Sequence, residues 1–419
     1  MLSPASHSIT RTTQDFTCRR ILVTDSERGS ATAVIRALSR AGYEVFAGST
    51  NKYSAGGLSK HTKQSIVYPR PASDPQSFAE AILNAVSAHH IDLVIPVTDE
   101  TILPLDHIRA SFPPHCRIAI SESDSLRLAT DKLLTVELAN KLGIPTPPGR
   151  HVTTLSEAII TAESIGYPVV IKPVSSKEHA QNKITSFRVE YANNENELRH
   201  HSATISSPHG VIIQRRVEGV GCGVEILADR GKIQAAFQHE RLREVPLTGG
   251  TSSMRISRKI NPELYQYTER LIKSMNWTGL AMVEFKVGPD GPWLMEINGR
   301  IWGSLPLAIE AGMDFPLKLV KLFEQTLPKS LDTDYQHGLR CRNLVLDIKW
   351  ATLVLIGRQT PWGTQLPRLA SLQVLKDLLP FRSRWDTWKL NDPLPGLASI
   401  WHLFHRQITK KLRTRPKNG

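Results

Sequence analysis

At 419 residues the chain is too long for one ordinary core and is expected to divide into two or three domains. Its four cysteines, Cys18, Cys116, Cys222 and Cys341, lie far apart and form no C-x-x-C or Cys/His cluster, which excludes a disulfide scaffold or zinc module and implies a cytoplasmic protein. The formal charge of +13 is uneven: residues 340–419 hold fifteen Lys and Arg against four Asp and Glu, so the body of the protein is near neutral and nucleic acid is disfavoured as its ligand.

Residues 1–18 are polar, lack the apolar core of a signal sequence and are read as a disordered leader. A β-α-β pattern follows, with Arg20-Ile21-Leu22-Val23-Thr24 as a strand, 31–41 as a helix stopped by Gly42, and 43–47 as a second strand. A helix over 78–88 and a buried strand over 91–97 continue the alternation, so 19–120 is expected to be an α/β domain with a doubly wound parallel sheet. Its first turn, Asp25 to Ser30, lacks G-x-G-x-x-G, which excludes a nicotinamide enzyme. Thr98, Asp99 and Glu100 follow the last of these strands, at the carboxyl edge where such sheets bind ligands.

A second unit, 121–330, opens with one helix over 125–142, stopped by Gly143, and the stiff connector Ile144-Pro145-Thr146-Pro147-Pro148. A helix over 156–165 leads to the strand Val169-Val170-Ile171-Lys172-Pro173, whose lysine interrupts an apolar run and so needs an anionic partner. Strands over 211–217, 223–227 and 232–238 and a helix over 262–275 complete an α+β order with no internal repeat.

The sharpest chemical signal lies at 279–304. Two strand-like runs, 280–287 and 293–297, flank Gly288-Pro289-Asp290-Gly291, a tight-turn sequence. Pairing Gly288 with Pro292 sets Glu284 opposite Glu296, and strand alternation puts Asn298 and Arg300 on the same face. Carboxylates opposed at about 5 Å destabilise a sheet unless positive charge lies between them. All-oxygen ligation suits Mg²⁺ bridging phosphates, which makes Glu284, Glu296 and Asn298 the candidate metal ligands.

This hairpin resembles the metal-binding strands of the ATP-grasp superfamily, particularly its biotin carboxylase and carbamoyl phosphate synthetase branch. An acid on one strand and Glu-x-Asn-x-Arg on the next match Glu284 and Glu296-Ile297-Asn298-Gly299-Arg300, and the similarity covers about 20–325. Asp131-Lys132 looks like the family's first phosphate lysine and Lys172 like its second. Gln214-Arg215-Arg216-Val217-Glu218 resembles the hinge whose backbone reads adenine. Two places depart from the pattern. The stretch 175–183, where a glycine-rich phosphate lid is expected, has no glycine, and Gly221-Cys222-Gly223 stands where a ribose-binding acid is usual, leaving Glu218 or Glu225.

The resemblance implies an ATP-grasp module using ATP with Mg²⁺, Mn²⁺ being a substitute. The family transfers a phosphoryl group to a carboxylic acid, and an amine then attacks the acylphosphate; Arg300 would meet the transferred group. The alternatives are a bicarbonate-activating enzyme, although no biotin-carrier Met-Lys-Met is present, and a non-catalytic nucleotide-binding protein. The polar run from His239 to Ser253 reads as an acceptor loop in which Arg241 or Arg243 grips a carboxylate. Residues 331–419 form a basic extension with five of the eight tryptophans, and 399–412 has amphipathic spacing. Packing on its own protein, peripheral contact with an anionic membrane, and nucleic acid are its readings, in that order. The oligomeric state is left open.

Overall fold

The structure, a computed structural model, describes residues 16–174, 177–180, 183–186, 189–377 and 383–401, with backbone alone over 177–180 and 183–186. The N-terminal unit contains β1 (Arg20–Val23), α1 (Gly29–Arg40), β2 (Glu44–Ser49), β3 (Gln64–Val67), α2 (Pro75–His89), β4 (Leu93–Ile95), α3 (Asp99–His107) and β5 (Arg117–Ile118). All five strands run parallel, in the order β3-β2-β1-β4-β5. The apolar run of β1 serves both faces. Ile21 and Val23 pack with Val34 and Leu38 of α1, while Leu22 packs with Phe78 and Ile82 of α2.

The single helix expected over 125–142 is two, α4 (Ser123–Thr130) and α5 (Lys132–Lys141). Asp131 breaks the spacing by acting as N-cap: its Oδ1 accepts from the backbone N–H of Leu133 and Leu134, at 2.9 and 3.2 Å. Lys132 thereby opens α5, and its N–H donates to Val174 O at 2.8 Å.

Next comes a small sheet built from β6 (Gly149–Val152), α6 (Leu155–Ile165), β7 (Val169–Pro173), β8 (Lys177–Ala180), β9 (Lys183–Ser186), β10 (Glu190–Ala192), α7 (Glu195–His200), α8 (Ser202–Ile205) and β11 (Val211–Arg215). Its order is β10-β7-β11-β6, antiparallel throughout. Val169 and Ile171 bury against Ala158 and Ala162 of α6, so alternation turns Val170 and Lys172 to the opposite face. Within the glycine-free stretch 175–183, β8 and the start of β9 form a hairpin; Ser175, Ser176, Gln181 and Asn182 lie outside the described residues.

The large sheet, β16-β15-β12-β13-β14-β17-β18, comprises β12 (Val220–Asp229), β13 (Lys232–Val245), β14 (Thr251–Arg258), β15 (Gly279–Gly288), β16 (Gly291–Asn298), β17 (Arg340–Arg342) and β18 (Arg384–Trp385). Helix α9 (Pro262–Ser274) covers one face; α10 (Leu305–Glu310) and α11 (Phe315–Phe323) join a core shared with α1. The polar run beginning at His239 is not a loop. It continues β13 to Val245, because its polar side chains find buried partners instead of water.

The basic extension is woven into this body. Its two short strands β17 and β18 extend the large sheet, and α12 (Leu344–Leu355) and α13 (Gln373–Asp377) build a separate small core with Val245, Trp350, Val354 and Val374. Buried ion pairs fasten it. Asp347 faces Arg243 at 3.3 Å and Arg342 at 2.7 Å, Asp377 pairs with Arg243, and Asp386 pairs with Arg255. Asp392 reaches the N-terminal unit, meeting Arg36 at 2.8 Å and Ser59 at 2.6 Å. The predicted amphipathic helix over 399–412 falls almost wholly outside the described residues. Trp385 lies over Arg342 and Trp388 against Gly396, so both are occupied inside the fold.

Removing one member of a buried ion pair strands the other in a medium of low polarity. Asp347→Ala strips buried Arg342 of its carboxylate and leaves Arg243 with Asp377 alone, and is expected to lower unfolding free energy by about 3–5 kcal/mol in urea titration. A loss below about 1 kcal/mol would mean that these arginines do not depend on it.

Candidate active site

The β15–β16 hairpin reaches the expected carboxylate pairing by a different register. Gly288 pairs with Gly291 and Val287 with Pro292, one residue out of step with the anticipated turn. A bulge at Met295 then restores the alignment, and Glu284 stands opposite Glu296. Asn298 follows on the same face, its Nδ2 donating to Glu296 Oε1 at 3.1 Å. Burial raises the Glu284 carboxyl above its ordinary range; Arg241 pulls it down and Glu296 pushes it up.

Lys132 and Lys172 approach the acids from the neighbouring elements. The bond from Lys132 N–H to Val174 O fixes the start of α5 to the end of β7, so two lysines forty residues apart in the chain serve one place. Burial pushes Lys172 down to about 8, opposed by Glu296 and reinforced by Lys132. Lys132 is lowered too, by burial first, against the pull of Glu296, Asp99 and Asp131. A cleft of about 390 Å³ opens between these groups, lined by Lys132, Glu296, Asn298 and Arg300 together with Thr98 and Asp99 of the N-terminal unit.

Arg300 ties that unit to the site. Its Nε donates to Asp99 Oδ2 at 3.0 Å, Nη1 to Ile301 O at 3.0 Å and Nη2 to Asn298 Oδ1 at 2.8 Å. Among the described residues three of its five N–H groups are engaged in this way, and the side chain keeps partial exposure to the cleft. Burial works against its charge, but Asp99 with help from Glu296 and Glu284 outweighs it and the guanidinium pKa is raised.

The two arginines of the presumed acceptor loop separate. Arg241 stays beside the acids, 2.5 Å from Glu284 and 3.0 Å from Glu244, and it donates to Gly250 O at 2.8 Å. Between Arg241 and Arg243 the β13–β14 register shifts at Leu242, which breaks the alternation. Arg243 is carried to α12, buried against Trp350 and paired with Asp347 and Asp377. It is a fastening of the extension and cannot grip an acceptor.

The hinge is selective as well. Gln214 sits on the Lys172 face of the small sheet, since Ile212 pairs with Lys172 and Gln214 with Val170. It is buried, and its Oε1 has no hydrogen-bond partner among the described residues. The backbone N–H groups of Arg215 and Arg216 are spent on Pro148 O and Pro168 O, at 2.7 and 3.2 Å, so they cannot read a base. Their side chains lie over Trp293 and Trp362. Val217 is buried, and Glu218 pairs with Arg216 at 2.9 Å while remaining largely exposed. Glu225 is no ribose acid. It is fully buried, with His239 Nδ1 at 2.6 Å and Ser304 Oγ at 3.2 Å. Gly223 is required beneath that imidazole, since a Cβ there would lie 2.5 Å from His239 Cε1.

Sequence reasoning missed Arg28 and Ser30, which line the cleft from the first β-α turn. That turn carries no phosphate-binding fingerprint, and only the docking of α1 against the large unit brings it near the acids. The Glu225–His239–Ser304 cluster was hidden because its members come from two strands and a helix start, and His239 read as the opening of a loop.

Residues 207–345 match a family described as "ATP-grasp in the biosynthetic pathway with Ter operon". In overall structure the chain is similar to a biotin carboxylase from Campylobacter jejuni, solved with β,γ-ATP, at TM-score 0.59 and 17% identity over 74% of this chain and 71% of that one. The chain carries an ATP-grasp fold. It is also similar in structure to N5-carboxyaminoimidazole synthetase from Staphylococcus aureus (TM-score 0.60, 16% identity, 76% and 80% covered). An L-amino acid ligase from Bacillus licheniformis is similar as well (TM-score 0.55, 14% identity, 74% of both chains).

A lysine held near pH 8 in the free protein gains charge when an anion arrives. Above about pH 8 nucleotide binding should therefore take up a proton, and affinity should fall as pH rises through that range while levelling off below it. Calorimetry in buffers of different ionisation enthalpy measures the uptake directly. Lys172→Met should abolish it and weaken ATP binding more than Lys132→Met; equal or reversed losses would reassign the phosphate lysine.

Proposed function

We propose that the protein is an ATP-dependent carboxylate–amine ligase that forms an amide or peptide-like bond through an acylphosphate. The observation that carries this is the register of the hairpin: Glu284 opposite Glu296, Asn298 adjoining, and the charges of Lys132 and Lys172 close enough to act on these acids. The L-amino acid ligase among the structural neighbours supports carbon–nitrogen bond formation, and the biotin carboxylase solved with a nucleotide supports ATP as the activating substrate.

The donor set suits a hard cation. Glu284 and Glu296 supply carboxylate oxygens and Asn298 an amide oxygen, and the raised Glu284 carboxyl marks a place where added positive charge is favoured. No group of three His, Cys, Asp or Glu side chains converges among the described residues, so phosphate oxygens would complete the shell. Mg²⁺, or Mn²⁺ in its place, would offset the charge that accumulates on the phosphates during transfer.

The remaining roles follow from position. Lys172 and Lys132 neutralise the phosphates from the small sheet and α5. Gln214 offers its unpartnered Oε1 to an exocyclic amine of the base, with Val217 closing the apolar side. An oxygen of the small acid attacks the γ-phosphorus, the bond to the bridging oxygen breaks, and ADP leaves. Arg300, anchored to Asp99, presents its remaining N–H groups to the transferred phosphoryl group. The amine nitrogen then attacks the acyl carbon, phosphate departs, and the nitrogen gives up a proton. Arg241 is the arginine left to hold an acceptor carboxylate, by exchanging its contact with Glu284 or Glu244.

Glu284→Gln and Glu296→Gln should each abolish metal-dependent ATP turnover while leaving the melting temperature within a few degrees of the parent, because shape is kept and a ligand charge is lost. ADP release should require both an acid and an amine, and product mass should report their condensation. Near-wild-type turnover in both variants at saturating Mg²⁺ would overturn the metal assignment.

A further inference from the structure

We propose that the outer surface of the C-terminal extension, formed by α12 and the segment from Arg368 through α13, is a docking site for an anionic lipid surface. Among the described residues eleven of eighteen exposed large hydrophobic side chains fall between Ile348 and Trp401. They are ordered, not scattered. Helix α12 turns Asp347, Trp350 and Val354 inward, which accounts for its packing on the large sheet. A second stripe of Ile348, Leu355 and Ile356 faces water, so the helix is apolar on both sides. The adjoining 3₁₀ turn (Arg368–Leu372) and α13 bury Val374 and expose Leu369, Leu372 and Leu375 at helical spacing, with Leu369 77% exposed. Soluble proteins seldom leave such stripes side by side without a partner.

Charge selects the partner. From residue 340 onward the acids are Asp347, Asp377, Asp386 and Asp392, and every one is buried against an arginine of the body. Lys349, Arg358, Arg368 and Lys376 stay exposed around the apolar stripes. The fold thus withdraws the negative charge and leaves a surface that is apolar and basic, which suits an anionic bilayer face, where apolar side chains enter the interface and cations meet lipid headgroups. No helix among the described residues is long and apolar enough to cross a membrane, so the contact would be peripheral.

Flotation of the full chain with phosphatidylcholine vesicles, with and without phosphatidylglycerol, tests this. Binding should need the anionic lipid and weaken several-fold as salt rises, without vanishing. Ile356→Asn, Leu369→Asn and Leu372→Asn together should reduce binding by about tenfold while leaving the melting temperature and ATP turnover in lipid-free buffer unchanged. Arg368→Gln with Lys376→Gln should flatten the salt dependence. A parent chain that ignores anionic vesicles would overturn the proposal, as would an apolar triple variant that binds like the parent through some other segment. A parent dimer that the triple variant converts to monomer would also overturn it, because a second copy would then be the occupant.

Discussion

Two carboxylates held face to face where water is scarce impose a demand that organises the rest of this molecule. Burial and the facing Glu296 both work against the charge of Glu284, so cations must be arranged about the pair. The cations come from every direction the chain can supply: Lys172 from the small sheet, Lys132 from a helix start pinned to that sheet, Arg241 from the neighbouring strand and Arg300 from the segment after the hairpin. The lysines are lowered and the acid raised by the same burial, so the site is poised for a ligand that brings negative phosphates and positive metal together.

Arg300 extends this arrangement beyond the hairpin. By holding Asn298 on one side and Asp99 on the other, it makes the N-terminal unit a wall of the cleft and not merely a neighbour. Disturbing that contact would loosen the N-terminal unit from the hairpin, so its geometry matters as well as its charge.

The extension follows a parallel logic toward the β14–β17–β18 edge of the large sheet. Arg243, Arg255 and Arg342 are buried and would be costly singly, but Asp347, Asp377 and Asp386 arrive from the extension to meet them. Docking therefore converts scattered charges into a balanced interior and leaves the segment's uncompensated lysines and arginines outside.

How much was legible beforehand depended on whether a feature was local. The apolar run of β1, the helical spacing over 78–88 within α2, and the acid pairing of the hairpin are written in short stretches, since helix and strand periods act over a few residues. Even there the bulge at Met295 was invisible, and two one-residue departures happened to cancel. Strand polarity misled at His239, because a polar residue signals a loop only if its partner is water, and its partner here is Glu225 from another strand. The choice between Arg241 and Arg243 likewise turned on a register shift at Leu242 that no spacing rule reports. The sequence by itself determined most of the element types and the opposition of Glu284 to Glu296 through local periodicity. Only the tertiary structure decided which arginine faces the acids, which lysines converge and how the basic tail is used, because burial and charge pairing depend on residues hundreds of positions apart.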